Sequence, residues 1–199
     1  MLKSPTNSPA RDLKGRDIVF VSHQRWNTHV TSVQNTVVRL VRNNRVLFIE
    51  PPDSMAWLRT EPAAREALRW IACPLEKRSE NLFILHTPPV FLPGQARSRW
   101  IAGSITRTYA WMIRQACRRV GFTRPIFWIY QFNCADLVRI FKPVCCVYEC
   151  AEEWDKYETR PQVKHYIQEK DADLCRTADL VIVPSREMLR HKLPHNPAT

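Results

Sequence analysis

Six apolar runs of strand length recur along the chain, at 17–22 (DIVFVS), 45–50 (RVLFIE), 81–86 (NLFILH), 125–130 (PIFWIY), 143–148 (PVCCVY) and 179–183 (DLVIV). Each is continuous rather than alternating, so both faces of each strand must be buried, as in a parallel sheet covered by helices on either side. Helical patterns fill the intervals. Val30, Val33, Val37, Leu40 and Val41 make one stripe, with Thr31 and Gln34 at capping-box spacing before it. Residues 97–120 read as a longer helix. Thr159 and Gln162 are spaced to open a third, with Val163, Tyr166, Ile167 and Leu174 on its face, and Ser185 is placed to cap a short last one. The alternation predicts an α/β fold: a Rossmann-like, doubly wound parallel sheet.

The boundaries follow from composition. Residues 1–16 combine Ser, Pro and charge without period and are expected to form a disordered basic tail; 17–193 form the domain; 194–199 read as the start of a linker. Segment 52–78 is interrupted by Pro52 and Pro62, with Ala63–Ile71 as a candidate helix.

At 199 residues with 45% hydrophobic content the chain can bury a sizeable core, and its net charge of +11 favours an anionic partner. The excess is local: no acid occurs between Glu80 and Asp136, whereas Arg97, Arg99, Arg107, Arg114, Arg118, Arg119 and Arg124 all do. Seven cysteines, an odd number, and a start without an apolar signal core lead to an expectation of reduced thiols and a cytoplasmic location. Adjacent Cys145 and Cys146 in a strand point to opposite faces and cannot easily chelate one ion, so no metal is expected and the cysteines read as small buried hydrophobes. No run of 18 apolar residues is present to span a membrane.

Ligands of open α/β sheets gather beyond the carboxyl ends of the strands. The residues there are His23, Arg25, Trp26 and Asn27 after the first run, Glu50 after the second, His86 at the end of the third, Gln131 and Asn133 after the fourth, Glu149, Glu152, Glu153 and Trp154 after the fifth, and Ser185 after the sixth. Without glycines in the first turn a dinucleotide fingerprint is absent, and a side-chain pocket replaces it. Two readings of that loop stand side by side: Arg25 and His23 meet a phosphate with Trp26 under a sugar ring or isoprenoid stem, or Trp26 packs over the sheet and Arg25 is solvated. Glu152 and Glu153 beside Trp154 either accept hydrogen bonds from sugar hydroxyls, or supply a general base if burial raises the pKa of one, or are acids favoured at a helix start. No nucleophile triad and no phosphate-binding P-loop supports a hydrolase or NTPase reading.

In the cationic helix, Trp100, Arg107, Trp111, Arg114 and Arg118 share one face, while Ile101, Ile105, Met112 and Ala116 lie on another. Arginine interleaved with tryptophan suits an anionic membrane interface. The same chemistry can meet nucleic acid, but no RNA- or DNA-binding motif accompanies it, and that reading ranks last.

Together, "DIVFVSHQRWN", "NRVLFIEPP", "PIFWIYQF", "CCVYECAEEWDKY" and "EKDADLCRTADLVIVPSREML" resemble the N-terminal domain of GT-B glycosyltransferases, over about residues 17–193. The likeness is greatest to retaining, family-four-like bacterial enzymes of teichuronic acid and other surface polysaccharide synthesis. Its most specific piece pairs Tyr148, Glu149, Glu152, Glu153 and Trp154 with a later stretch containing Glu169, Asp179, Leu180 and Ser185, Glu standing where the family typically shows Asp. The resemblance implies an acceptor-binding half whose His23–Asn27 and Glu149–Trp154 loops face an interdomain cleft. It further implies a glycan or lipid-linked acceptor, a nucleotide-sugar donor held mainly by a C-terminal domain or separate chain, no cofactor within this chain, and a peripheral site at the inner face of the plasma membrane. The other function class is a non-catalytic module binding glycan, lipid or a protein partner.

Overall fold

A computed structural model describes residues 13–27, 31–52, 74–87 and 99–199. Seven strands form one sheet: β1 (Asp17–Val21), β2 (Arg45–Ile49), β3 (Leu75–Lys77), β4 (Leu82–Leu85), β5 (Ile126–Ile129), β6 (Cys146–Glu149) and β7 (Leu180–Ile182). Their order is β3-β4-β2-β1-β5-β6-β7, parallel throughout except for the β3–β4 pair. The helices are α1 (Ser32–Val41), α2 (Arg99–Val120), α3 (Ala135–Phe141), α4 (Pro161–Thr177) and α5 (Arg186–Lys192), with a 3₁₀ turn at Trp154–Tyr157. The predicted α/β, Rossmann-like doubly wound sheet is the fold observed.

The continuous apolar runs do bury both faces. Val19, Val21, Leu47, Ile49, Phe127, Ile129, Cys146 and Tyr148 pack with α2, α3 and α4 on one side. Ile18, Phe20, Val46, Phe48, Ile126, Trp128 and Val147 pack with Val33, Val37 and Leu40 of α1 on the other. Cys145 and Cys146 go to opposite faces, one to each core. All six described cysteines are buried and free, and burial pushes Cys117, Cys134 and Cys175 up to about 12, so they act as small hydrophobes rather than nucleophiles.

Caps fix the helix ends. Thr31 accepts from the Val33 amide while Gln34 accepts from the Thr31 amide, the capping box predicted for α1. Gly121, at φ +73, ends α2: the Phe122 amide reaches back to the Cys117 carbonyl at 2.8 Å, a closure that needs a left-handed residue.

Several sequence expectations are corrected. Residues 13–16 belong to the domain and not to a tail: Leu13 packs on the core and the Gly15 amide donates to the Asn43 carbonyl at 2.7 Å. The tail reading for residues 1–12 lies outside the described residues, as do the candidate helix at 63–71 and Val30. Residues 194–199 are anchored to the domain: Asn196 is buried and donates to the Cys175 and Ala178 carbonyls at 2.8 and 2.7 Å, and the Val181 amide of edge strand β7 donates to the Ala198 carbonyl at 3.1 Å. Thr159 does not cap α4; Arg160 precedes the helix and Pro161 opens it, its fixed φ suiting the first turn. Strand β3, helix α3 and the 3₁₀ turn were not predicted.

Candidate functional site

Strands β1 and β5 are neighbours at the middle of the sheet, and the helices that follow them, α1 and α3, pack on opposite faces. That is the topological switch point, where the loops after β1 and β5 diverge and leave a crevice. His23 from the first loop and Tyr130 from the second meet there with ring centroids 5.8 Å apart. Trp154, carried by the 3₁₀ turn after β6, closes on His23 edge-on at 5.2 Å and on Phe132 at 6.5 Å.

The rest of the first loop is wired into the fold. Glu50, 2% exposed at the end of β2, accepts from Arg25 Nη1 at 3.1 Å, from the Trp26 amide at 3.0 Å, and pairs with His86 Nδ1 at 2.9 Å. His86 Nε2 continues to Glu76 Oε2 at 3.1 Å. Arg25 is thus paired with a buried carboxylate rather than solvated. Trp26 is half-buried and packs edge-on against Phe48 at 5.1 Å. Gln24 donates to Gln34 Oε1 at 2.8 Å, tying the loop to the α1 capping box. Asn27 is exposed.

His23 differs from its neighbours. Its Nδ1 is buried and has no hydrogen-bond partner among the described residues. Burial holds its pKa below 6.5 against the opposing charge of Glu152, so the ring is neutral near pH 7. A neutral imidazole with a free nitrogen can exchange a hydrogen bond with a hydroxyl, and leaving that nitrogen unmatched costs on the order of 1–3 kcal/mol.

The carboxylates beyond β6 divide by partner. Glu149 accepts from Trp128 Nε1 at 2.7 Å, and the nearby Tyr130 hydroxyl is raised by burial and by its hydrogen bond to Glu149. Glu153 binds His191 Nδ1 at 2.7 Å and Lys156 Nζ at 2.5 Å; these partners outweigh its partial burial and hold it below the usual carboxylate range. Glu152 is exposed and its carboxylate makes no hydrogen bond or ion pair among the described residues. Ser185 is the cap of α5, accepting from the Met188 amide at 3.1 Å. Gln131 turns to the opposite side, where it and Asn133 line a small cavity of about 40 Å³ against α2.

Behind Trp154 lies a cavity of about 350 Å³, within the range of small-ligand sites. Glu153, Gln168, Asp171, His191, Lys192 and His195 are among its walls. Of these only Glu153 was legible in the sequence, because α4 and α5 supply the others and their meeting depends on how both dock beside β6 and β7. Arg107, Arg114, Arg118 and Trp111 are on the exposed side of α2 as expected, Trp111 at 60% exposure; the side chain of Trp100 lies outside the described residues. The buried stripe is shifted from prediction, to Tyr109, Ile113, Ala116 and Cys117.

The two histidines at this rim act on stability with opposite signs. Burial works to lower His86, but the hydrogen bonds and charges of Glu50 and Glu76 outweigh it and its pKa rises above 6.5. The His86 contribution is therefore complete below 6.5 and fades as pH climbs through the folded value. His23, lowered, contributes fully above 6.5 and loses its share as pH falls through its folded value. His86→Gln should thus give a protein whose urea midpoint drops on going from about pH 7 to about pH 5.5, and His23→Gln one whose midpoint drops in the reverse direction. The parent protein should vary less than either.

No protein-family model matches the sequence, and no curated protein matches it. Among solved structures the fold is similar to one described as trehalose-6-phosphate from E. coli bound with UDP-2-fluoro glucose, at a TM-score of 0.50 and 10% identity. The likeness covers 89% of this chain and 42% of that one, so this chain spans less than half its length. The seven-stranded α/β architecture is that of one Rossmann-like half of a GT-B fold. Among the described residues, no helix is long and apolar enough to cross a membrane.

Proposed function

We propose that this domain is the acceptor-binding half of a glycosyltransferase, holding a glycan or lipid-linked acceptor for hexosyl transfer from a nucleotide sugar in surface polysaccharide synthesis. The observation that carries the reading is the buried, unpartnered Nδ1 of His23 beside Trp154, at the switch point of a GT-B-type sheet. An indole face next to a free imidazole nitrogen and the exposed Glu152 carboxylate supplies what a sugar needs: an apolar platform and hydrogen-bonding groups of both kinds. The donor nucleotide sugar is assigned to a second domain or chain. Arg107 and Trp111, exposed on α2, would hold the domain against an anionic membrane at the cytoplasmic face.

A second reading, a non-catalytic module for glycan, lipid or a protein partner, is favoured by one observation. The side chains of Glu50, Glu149 and Glu153 are each held by structural partners, leaving Glu152 as the one unengaged carboxylate among these four rim acids. Both readings need the same sugar subsite; sugar transfer in the presence of a donor-binding domain separates them.

The subsite is tested by titrating a panel of short oligosaccharides and following ligand-observed NMR. His23→Ala and Trp154→Ala should each weaken the best binder by about tenfold or more, with Arg190→Ala as an exposed comparison. Oligosaccharide binding that survives both substitutions would place the sugar elsewhere and remove the reading.

A further inference from the structure

At the opposite end of the sheet, where β5 and β6 begin, lies a second pocket of about 450 Å³. Three separate pieces of chain deliver cations to it: Arg114 and Arg118 from α2, Arg124 from the turn before β5, and Lys142 from the end of α3. Its lining contains no acid, and none of these four cations forms an ion pair among the described residues. Exposed arginines elsewhere divide: Arg39, Arg42, Arg107 and Arg190 form no ion pair among the described residues, while others do. Arg45 pairs with Asp17, Arg139 with Asp136 and Asp173, and Arg160 with Glu158. The walls are aromatic: Phe122 and Phe141 line the pocket, and the Arg114 guanidinium lies 5.1 Å from the centre of the Phe141 ring. Four like charges around one concavity repel one another unless an anion enters.

Backbone geometry makes the same point independently. Lys142 has φ +49, and it is the one non-glycine residue with positive φ among the described residues. A side chain in the left-handed region is strained, and glycine is the usual residue at a helix end of this kind. Here the strained position carries an ammonium group to the pocket wall. An outlier of this sort at a pocket wall points to a function for the side chain.

We infer that this pocket is a binding site, separate from the sugar subsite, for a phosphate monoester or diphosphate group attached to an apolar stem. The guanidinium groups bind the oxyanion through charge-assisted, paired hydrogen bonds, and the phenylalanine walls receive the stem. The volume accommodates both parts. The same phosphate chemistry can arrive on a soluble metabolite or on a lipid.

Two probes distinguish these sources: inorganic pyrophosphate followed by calorimetry, and phosphatidylcholine vesicles with and without phosphatidate followed by sedimentation. The expected result is one saturable site that Arg118→Glu with Arg124→Glu weakens by about tenfold or more. Arg39→Glu with Arg42→Glu, the same charge change on exposed positions of and after α1, should leave it nearly intact. Lys142→Gly should weaken binding severalfold while the melting temperature stays level or rises, since glycine relieves the left-handed strain. Saturation by pyrophosphate assigns the site to a soluble phosphate; binding to phosphatidate vesicles alone, with the same dependence on Arg118 and Arg124, assigns it to a lipid. Absence of saturable binding to either probe, or equal loss in the Arg39/Arg42 variant, overturns the proposal, as does tighter capture of a single-stranded oligonucleotide than of both probes. Because the oligosaccharide titration reads the other end of the sheet, either site can fail without the other.

Discussion

Replacing Glu50 by alanine is expected to cost roughly 3–5 kcal/mol of folding stability, read as a fall in the urea midpoint with little change in slope. The carboxylate neutralises Arg25 and His86 in a region where its own side chain is 3% exposed and theirs are 18% and 11% exposed. It also satisfies the Trp26 amide. Removing it takes one carboxylate from a guanidinium, an imidazole and a backbone donor at once, although His86 keeps Glu76 at 3.1 Å, whereas the backbone carbonyl of residue 50 keeps its bonds from Thr87 and Tyr109 at 3.0 and 3.1 Å. Glu50→Gln, which keeps an acceptor but removes the charge, should cost less. In both variants the His86 pKa should fall, because Glu50 supplies much of what outweighs burial there.

Lys192→Ala is expected to cost about 3 kcal/mol by leaving Asp171 without its ammonium partner. Lys192 is 7% exposed, and its Nζ bonds Asp171 Oδ2, while the other oxygen of that carboxylate accepts from the Tyr148 hydroxyl at 2.6 Å. The neighbouring Cys150 and Cys175 thiols are raised by burial and stay neutral, so Asp171 is the anion that balances this lysine. Combining Lys192→Met with Asp171→Asn should recover most of the loss, because the penalty comes from a single uncompensated charge and not from the missing pair. If the double variant is as unstable as the single one, packing of the lysine stem is the dominant contribution.

Six of the seven strands were legible because burial on both faces writes itself as an unbroken apolar run. Strand β3 was not: Leu75–Lys77 is three residues with a glutamate in the middle, and its place comes from antiparallel pairing with β4. Helix α3, at seven residues, is too short to show a period. Charge pairing was the least legible part. Arg25 and Glu50 are 25 residues apart, and they meet because Val21 registers with Ile49, which sets the two strand exits side by side. The arginines of the acid-free interval were visible as an excess of charge. That Arg114 and Arg118 join Arg124 and Lys142 in one pocket depends on how α2 and α3 end beside β5 and β6, which no local pattern encodes.

The placement of β1 at the centre of the sheet also sets a schedule for synthesis. Ile18 pairs on one side with Val46 and on the other with Ile126. At ribosomal speeds of roughly 5–20 residues per second, the second partner emerges about 5–20 s after β1 itself. Throughout that interval the nascent chain holds a strand that is apolar from Ile18 to Val21 with one open edge, the kind of surface that recruits chaperones or other unfinished chains. Production of this protein should therefore respond more to slowed translation and chaperone supply than its finished, doubly covered sheet would suggest.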